Sequence, residues 1–503
     1  MAIRVDRRVG QQSALIIAAL FVFSLAIIRA HLQAITVDEA NTYFWWVRAY
    51  YPWSPGSNNH VLNSLLIWVT THVFGISVFT VRMPALLGAA LYICVCYFLC
   101  RSLTERFSLQ FPVFICLLYN PFILDFMVAA RGYSLANAFL LAAIAIPIWH
   151  HRAGGPSLRR SCALASLALG LSFTANFSFA FVDLAVFLAI AIWALGRRGS
   201  DSKVRMLAFC ALPGLFVAIL ICGYPITHLT RDELWYGAHS LREMWHSLIE
   251  ASLHQLSPGF LGSQYKAMNS FKPRVLPYVG IFCVGQLVMA AIDGSWLRGF
   301  RESRRWLGMF TAALAGIVIL TVLLHWIAFR FDNLPLPLGR TGIFLLPLCT
   351  LIAAAIAGSP ARSLISRWLR RGTTTAFFCA AFYSLLCLRV SYFEEYSWDA
   401  DVKDVYSVLV DLNQNYGARD VAASWMYHSP LNFYRVASRG NVFPEFVLAG
   451  DPPPAGKAIY VLLAPYDQPF IDREKLRVIY HGKSTGVVVA VRPDLEPPAA
   501  VAP

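Results

Sequence analysis

Apolar runs of the length that crosses a bilayer, about 17–25 residues, recur through the first 390 residues with short polar clusters between them. Eleven such runs are found, at 11–34, 83–100, 109–126, 132–150, 161–177, 179–196, 206–224, 275–293, 306–328, 341–358 and 372–390. Between the first two runs, Val61 to Gly75 has the amphipathic pattern of a helix lying at the membrane surface. Beyond residue 390 the pattern changes to shorter elements. Helices are predicted at 399–416 and 429–438, strands at 419–425 and 457–464, and a hairpin at 476–492 turning at Ser484-Thr485-Gly486. The expected architecture is an α-helical polytopic membrane protein of about eleven transmembrane helices over 1–390. A small α/β domain over 391–503 follows it.

Composition supports this division. The chain of 503 residues is 57% apolar before its 31 glycines are counted, against roughly 45–50% with glycine included in soluble domains. The formal charge of +14 would raise nucleic acid as a partner in a soluble chain. Here only 14% of residues are charged, and they fall in clusters between apolar runs, so membrane topology accounts for the charge and no nucleic-acid partner is expected. Residues 391–503 hold 14 of the 28 acids and 10 of the 42 bases, leaving the tail at −4 and the rest at +18.

With the N terminus inside, the inner segments carry 20 bases and the outer segments before the tail carry 10. That asymmetry places the N terminus in the cytoplasm and the tail outside. The first run is long and lacks a small-residue cleavage site, so it reads as an uncleaved anchor. All 11 cysteines lie in or beside the apolar runs, without CxxC spacing, and a single N-x-[ST] triplet occurs at Asn176. These features favour a bacterial inner membrane, with the tail in the periplasm.

Polar groups are costly inside hydrocarbon, so acids and arginines gathered at the outer ends of spans are candidates for chemistry. Asp38 and Glu39 follow the first run directly, in the outer loop 35–82, and Asn58-Asn59-His60 comes about 20 residues later. A carboxylate at that surface can accept a proton from an attacking hydroxyl. Arg82-Met83-Pro84 opens the second run, Ala130-Arg131-Gly132-Tyr133-Ser134-Leu135 opens the fourth, and Arg340 precedes the tenth. A second outer loop, 225–274, carries Tyr236, His239 and Lys266.

In the order and spacing of these segments the sequence resembles the membrane glycosyltransferases of the GT-C fold. In particular it resembles the bacterial family that includes Rhizobium lipopolysaccharide sugar transferases, aminoarabinose transferases and protein O-mannosyltransferases. The resemblance covers the layout of residues 1 to 390. It implies a sugar donor carried on a polyprenyl phosphate, transfer at the outer face, and a lipid, glycan or protein acceptor. It makes Asp38 the catalytic base, gives Glu39 a part in acceptor or metal binding, and puts His60 near the donor phosphate. Where many relatives have His-Pro-Pro, this chain has His60-Val61-Leu62. A divalent metal ion is left open, with Glu39 and His60 as its candidate ligands.

Leaving polyprenyl phosphate gathers negative charge, which fixed guanidinium groups stabilise in a water-poor cleft, and Arg131 and Arg340 are the candidates. Tyr133 and Arg82 join them as substrate contacts. In the resembled enzymes a loop like 225–274 covers the donor, which adds Tyr236, His239 and Lys266. There is no GxxxxGK[ST] phosphate loop, no GxGxxG after a strand and no GxSxG elbow, since Gly482-Lys483-Ser484-Thr485-Gly486 falls in the expected hairpin turn, so nucleotide-driven transport and serine hydrolysis lose their simplest support. The reading is an inverting glycosyltransferase; the alternative is a glycolipid transporter or flippase that forms no bond.

Overall fold

The computed structural model describes residues 2–48, 51–152, 154–197, 202–253, 305–359, 364–438, 443–450 and 453–495. Within them the long apolar runs fold as α1 (Ala2–Leu32), α4 (Val78–Leu103), α7 (Tyr133–His150), α8 (Leu158–Ala175), α9 (Ala180–Leu195) and α10 (Lys203–Thr227). Shorter helices between them are α2 (Val37–Thr42), α3 (Val61–Phe74), α5 (Phe107–Tyr119), α6 (Pro121–Phe126) and α11 (Leu241–Ser252). Among the described residues, helices Arg305–Asp332, Leu345–Gly358 and Leu364–Leu386 follow. Among the described residues six helical segments are long and apolar enough to cross a membrane: Val9–Leu32, Val78–Leu103, Tyr133–His150, Phe177–Leu195, Lys203–Thr227 and Leu307–Asp332. The run at 275–293 lies outside the described residues.

Large apolar side chains point outward from these helices, with Ile192 73% exposed, Leu220 71% and Ile319 66%. A soluble domain would not leave such faces in water; a bilayer covers them. The chain is an α-helical polytopic membrane protein with a small C-terminal α/β unit. Its helices pack in the order α4 on α7, α7 on α8 and α8 on α10. Small residues bring the last pair close. A Cβ on Gly214 would lie 2.2 Å from the Ser166 carbonyl oxygen, and the Gly214 N–H donates to Ser166 Oγ at 2.9 Å.

The expected spans at 109–126 and 341–358 depart from the sequence reading, the second being α-helical only over Leu345–Gly358. The run at 109–126 breaks at Asn120-Pro121 into α5 and α6. The Asn120 side chain accepts from the Phe122 and Ile123 N–H groups, and Pro121 takes the first helical position, where its missing N–H costs nothing. The break turns Asp125, near the end of α6, into the protein interior.

The tail is a five-stranded sheet in the order β2-β1-β3-β5-β4, with β1 (Val421–Ser424), β2 (Val447–Ala449), β3 (Ile459–Leu463), β4 (Arg477–His481) and β5 (Val487–Val491). β1 pairs in parallel with β2 and β3, while β5 runs antiparallel to β3 and β4. Alternation along β5 sends Val487, Val489 and Val491 to one core and Val488 and Ala490 to the other. Helices Val402–Tyr416 and Trp425–Ala437 cover the first face and Ala464–Arg473 the second.

The tail also docks on the first outer loop. Phe433 meets the Tyr43 ring edge-on at 5.3 Å, and the Tyr434 hydroxyl accepts a hydrogen bond from the Ile35 N–H at 3.2 Å. Phe433 shares a core with Ile35, Ala40, Tyr43, Val47 and Ala130.

Candidate active site

Four chain segments far apart in sequence meet at Asp38. The first is α2, whose start is fixed by a capping box: the Thr36 Oγ1 accepts from the Glu39 N–H at 3.1 Å, and Glu39 Oε2 accepts from the Thr36 N–H at 2.9 Å. The next free N–H of that turn, Val37, donates to Asp399 Oδ2 of the tail at 3.0 Å. Asp38 therefore sits in a turn whose backbone donors are held from both sides. Its side chain keeps 17% of its surface open.

The second segment is the tight turn Ala130-Arg131-Gly132. The Ala130 N–H donates to Glu39 Oε1 at 2.9 Å, and the Asn63 and Asn176 side chains bond the Ala130 and Arg131 carbonyls at 2.9 and 3.4 Å. Gly132 has φ +74°, and a Cβ there would stand 2.1 Å from the Ala175 carbonyl oxygen and 3.1 Å from His60 Cβ. Gly132→Ala is expected to cost about 3 kcal/mol or more, measured by unfolding in mixed micelles; a variant as stable as wild type would refute this account of the turn.

This turn aims Arg131 at Asp38. Its Nε lies 3.7 Å from Asp38 Oδ2, its Nη1 donates to Thr42 Oγ1 at 2.6 Å, and its Nη2 donates to Asn58 Oδ1.

The third segment is the short turn Gly339–Gly342 carrying Arg340. Leu336 and Ala238 exchange backbone hydrogen bonds at 2.7 and 2.9 Å, and the Gly339 N–H donates to Ser247 Oγ at 3.0 Å. The loop before α11 and the Arg340 turn are thereby fastened together. Arg340 Nη1 reaches Asp38 Oδ2 at 2.8 Å, and its guanidinium lies over the Tyr236 ring at 5.1 Å and the Tyr396 ring at 5.8 Å.

Tyr396, from the segment linking the last helix to the tail, closes the cluster. It accepts from Arg340 Nη1 at 3.0 Å and donates to Asp38 Oδ2 at 3.2 Å. Its ring is almost fully buried.

The electrostatics follow from this packing. Burial alone would raise the Asp38 carboxyl, but the Arg131 and Arg340 guanidiniums and the Tyr396 hydroxyl overcome it and hold the group below the usual carboxylate range. His60 is 4% exposed and sits 5.6 Å from the Tyr133 ring. Among the described residues neither of its ring nitrogens has a hydrogen-bond partner. Burial, reinforced by Arg131 and Arg340, keeps the imidazole well below its usual value and therefore neutral. The cluster thus holds one ionised carboxylate, two guanidiniums and a neutral imidazole with both nitrogens unspent.

The residues expected from sequence divide into groups. Asp38, Arg131 and Arg340 make direct contacts with one another, with Tyr236 beneath Arg340 and His60 and Tyr133 beside them. Glu39 and Arg82, expected among the substrate contacts, are instead wholly buried and paired with each other at 2.7 and 2.9 Å. Each Glu39 oxygen accepts from Arg82 and from a backbone N–H, so none is left for a ligand.

Both Glu39 oxygens are thus occupied, and among the described residues no group of three or more His, Cys, Asp or Glu side chains gathers in the way a metal ion needs. His239 is exposed, with its backbone N–H on Glu243, and no contact joins it to the cluster. Lys266 lies outside the described residues. Sequence reasoning flagged the Asn58-Asn59-His60 segment but missed Thr42 and Tyr396 as partners in the cluster. The capping-box spacing Thr36-Val37-Asp38-Glu39 and the acidic-aromatic run Phe393-Glu394-Glu395-Tyr396 were the available signals.

No protein-family model matches the chain and no curated protein matches it. Among solved structures, ArnT from Cupriavidus metallidurans bound to undecaprenyl phosphate is similar at TM-score 0.49 and 13% identity, over 97% of this chain and 99% of that one. The arabinofuranosyltransferase AftD from Mycobacteria is similar at TM-score 0.41 and 16% identity, over 82% of this chain and 29% of that one. The Archaeoglobus fulgidus oligosaccharyltransferase tethered with an acceptor peptide gives TM-score 0.39 and 12% identity, over 87% and 64%.

Proposed function

We propose that the protein is an inverting glycosyltransferase that moves a sugar from a polyprenyl-phosphate donor to a hydroxyl on a lipid, glycan or protein. It works at the outer face of a bacterial inner membrane, with the N terminus cytoplasmic and the tail periplasmic. The observation that carries the reading is a part-open carboxylate, Asp38, held between two buried or half-buried guanidiniums that arrive on separate segments. Proton acceptor and anion-binding groups are thereby adjacent, as displacement of a phosphate by a hydroxyl requires.

In the resting site Arg131 and Arg340 are occupied with Asp38, which makes it a weak base. A donor phosphate competes for both guanidiniums, and as they turn to it Asp38 gains basicity. The carboxylate then takes the acceptor's proton while the acceptor oxygen bonds to the anomeric carbon. The bond from that carbon to the phosphate oxygen breaks, and its electron pair leaves with polyprenyl phosphate. One displacement from the face opposite phosphate inverts the anomeric centre. Neutral His60 supplies a nitrogen for the leaving group, and Glu39 with Arg82 holds α2 and the Arg131 turn in register.

The test is transfer of labelled sugar from a panel of undecaprenyl-phosphate sugars in right-side-out and inverted vesicles containing the full chain. The expected result is a new glycosidic bond, of inverted configuration, formed only when donor and acceptor share the outer face. Donor that crosses the membrane without any bond formation would overturn the reading and put a glycolipid flippase in its place.

A further inference from the structure

Two outer loops reach the Asp38 cluster, and each is fastened to one of its two arginines. The first, residues 51–60, belongs to Arg131, whose Nη2 donates to Asn58 Oδ1. The Asn59 side chain donates to the Pro52 and Ser54 carbonyls, at 2.8 Å each, and accepts from Ser64 Oγ of α3 at 2.8 Å. The loop is therefore folded on its own backbone and tied to the helix that also supports the Arg131 turn through Asn63.

The second loop, residues 230–238, belongs to Arg340. Arg231 donates to the Asp332 carbonyl at the end of helix Arg305–Asp332, and Ala238 exchanges backbone hydrogen bonds with Leu336. Between these two anchors Tyr236 lies beneath the Arg340 guanidinium at 5.1 Å.

Ser57 and Glu233, 176 residues apart in sequence, join the two loops. The Ser57 N–H donates to Glu233 Oε2 at 2.8 Å, and the Ser57 hydroxyl donates to the Glu233 carbonyl at 2.8 Å. The other carboxylate oxygen, Oε1, accepts from Thr230 Oγ1 at 2.9 Å, which holds the side chain in place. Both residues are half-buried. A pair of bonds fixes orientation as well as distance, where a single bond would leave a hinge.

The link bears on what happens at Asp38. Arg131 Nε at 3.7 Å and Arg340 Nη1 at 2.8 Å converge on the same atom, Asp38 Oδ2. In the resting site that carboxylate gathers both guanidiniums. A phosphate that displaces it removes the gathering group, and each long side chain is then placed by the partners of its tip, Asn58 for Arg131 and Tyr236 for Arg340. Asn58 directly follows Ser57, and Tyr236 lies one short turn beyond Glu233. The Ser57–Glu233 link thus couples the supports of the two guanidiniums.

We propose that Glu233 is a positioning residue that sets the spacing of Arg131 and Arg340, and so favours a single phosphate over a diphosphate. This inference rests on the glycosyltransferase reading, in which these arginines hold the donor's phosphate. A monophosphate has one charged centre, so both guanidiniums must stand where they converge on it. A diphosphate spreads its charge over two centres, each of which takes one guanidinium at a range of spacings. Loosening the link therefore costs the monophosphate more.

The experiment measures, by isothermal titration calorimetry, binding of farnesyl phosphate and farnesyl diphosphate to the full-length protein in detergent micelles. Wild type is expected to favour the monophosphate. Glu233→Ala is expected to weaken farnesyl phosphate about tenfold and farnesyl diphosphate less than about threefold, with an unchanged melting curve. Ser57→Ala, which loses only the hydroxyl bond, should fall between wild type and Glu233→Ala. Glu233→Gln keeps a carbonyl oxygen for the Ser57 N–H and should stay within about twofold of wild type for both ligands. In an Arg131→Gln background, adding Glu233→Ala should cost nothing more, since a lone guanidinium has no spacing to keep. A wild-type preference for the diphosphate, equal weakening of the two ligands, a Glu233→Gln protein as weak as Glu233→Ala, or full additivity in the double variant overturns the positioning role and leaves the transferase standing. Wild type that binds neither probe overturns the anion site and the transferase reading with it.

Discussion

Replacing Asp38 by asparagine is expected to lower kcat by about 100- to 10,000-fold while the KM for the polyprenyl-phosphate donor stays level or falls. The two directions have separate causes. Asparagine keeps the size of aspartate but cannot accept the acceptor's proton, so the chemical step loses its base. The same change removes the anion that occupies Arg340 Nη1 at 2.8 Å and Arg131 Nε at 3.7 Å, leaving both guanidiniums to the donor phosphate. A residue serving only to hold the loop would show the opposite pattern, with KM rising as the arginines drift. Steady-state kinetics with labelled donor, alongside the elution profile and melting curve of the variant, separates these cases. A folded Asp38→Asn protein with kcat within threefold of wild type would remove Asp38 from the chemistry.

Much of this site is readable in the sequence because membrane energetics sorts polar residues before any contact is known. Asp38, His60, Arg131 and Arg340 stand out as costly groups placed at the same ends of apolar runs. Which of them meet is a tertiary matter, set by the Ala238 to Leu336 bridge and by the Asn63 and Asn176 bonds that shape the Arg131 turn. Tyr396 was hidden for another reason. The sequence assigns it to the start of a soluble tail, whereas it follows helix Leu364–Leu386 by ten residues and its hydroxyl donates to Asp38. Helix Ala464–Arg473 has no counterpart in the sequence reading; Pro465 sits in its first turn, where a proline is tolerated.

Glu39 offers the sharpest contrast between a sequence-based role and a structural one, and its substitution has the largest effect expected on stability. Arg82 and Glu39 are both fully buried, and Arg82 also donates to the Ala30, Gln33 and Ala34 carbonyls at 3.3, 2.9 and 2.6 Å at the end of α1. One guanidinium thus caps a helix terminus and neutralises the acid of the next turn. Glu39→Gln leaves that cation without its counter-charge in a dry site, which costs about 3–5 kcal/mol. Arg82→Met is the more damaging change, because it strands a buried carboxylate and orphans three carbonyls together. Unfolding in mixed micelles should rank wild type above Glu39→Gln and Glu39→Gln above Arg82→Met. If Glu39 were instead a ligand for acceptor or metal, Glu39→Gln would raise KM or metal dependence and leave stability unchanged. The loss of α2 orientation in either variant should reach Asp38, whose turn Glu39 closes at one end, so kcat falls together with stability while bound donor is still held by Arg131 and Arg340.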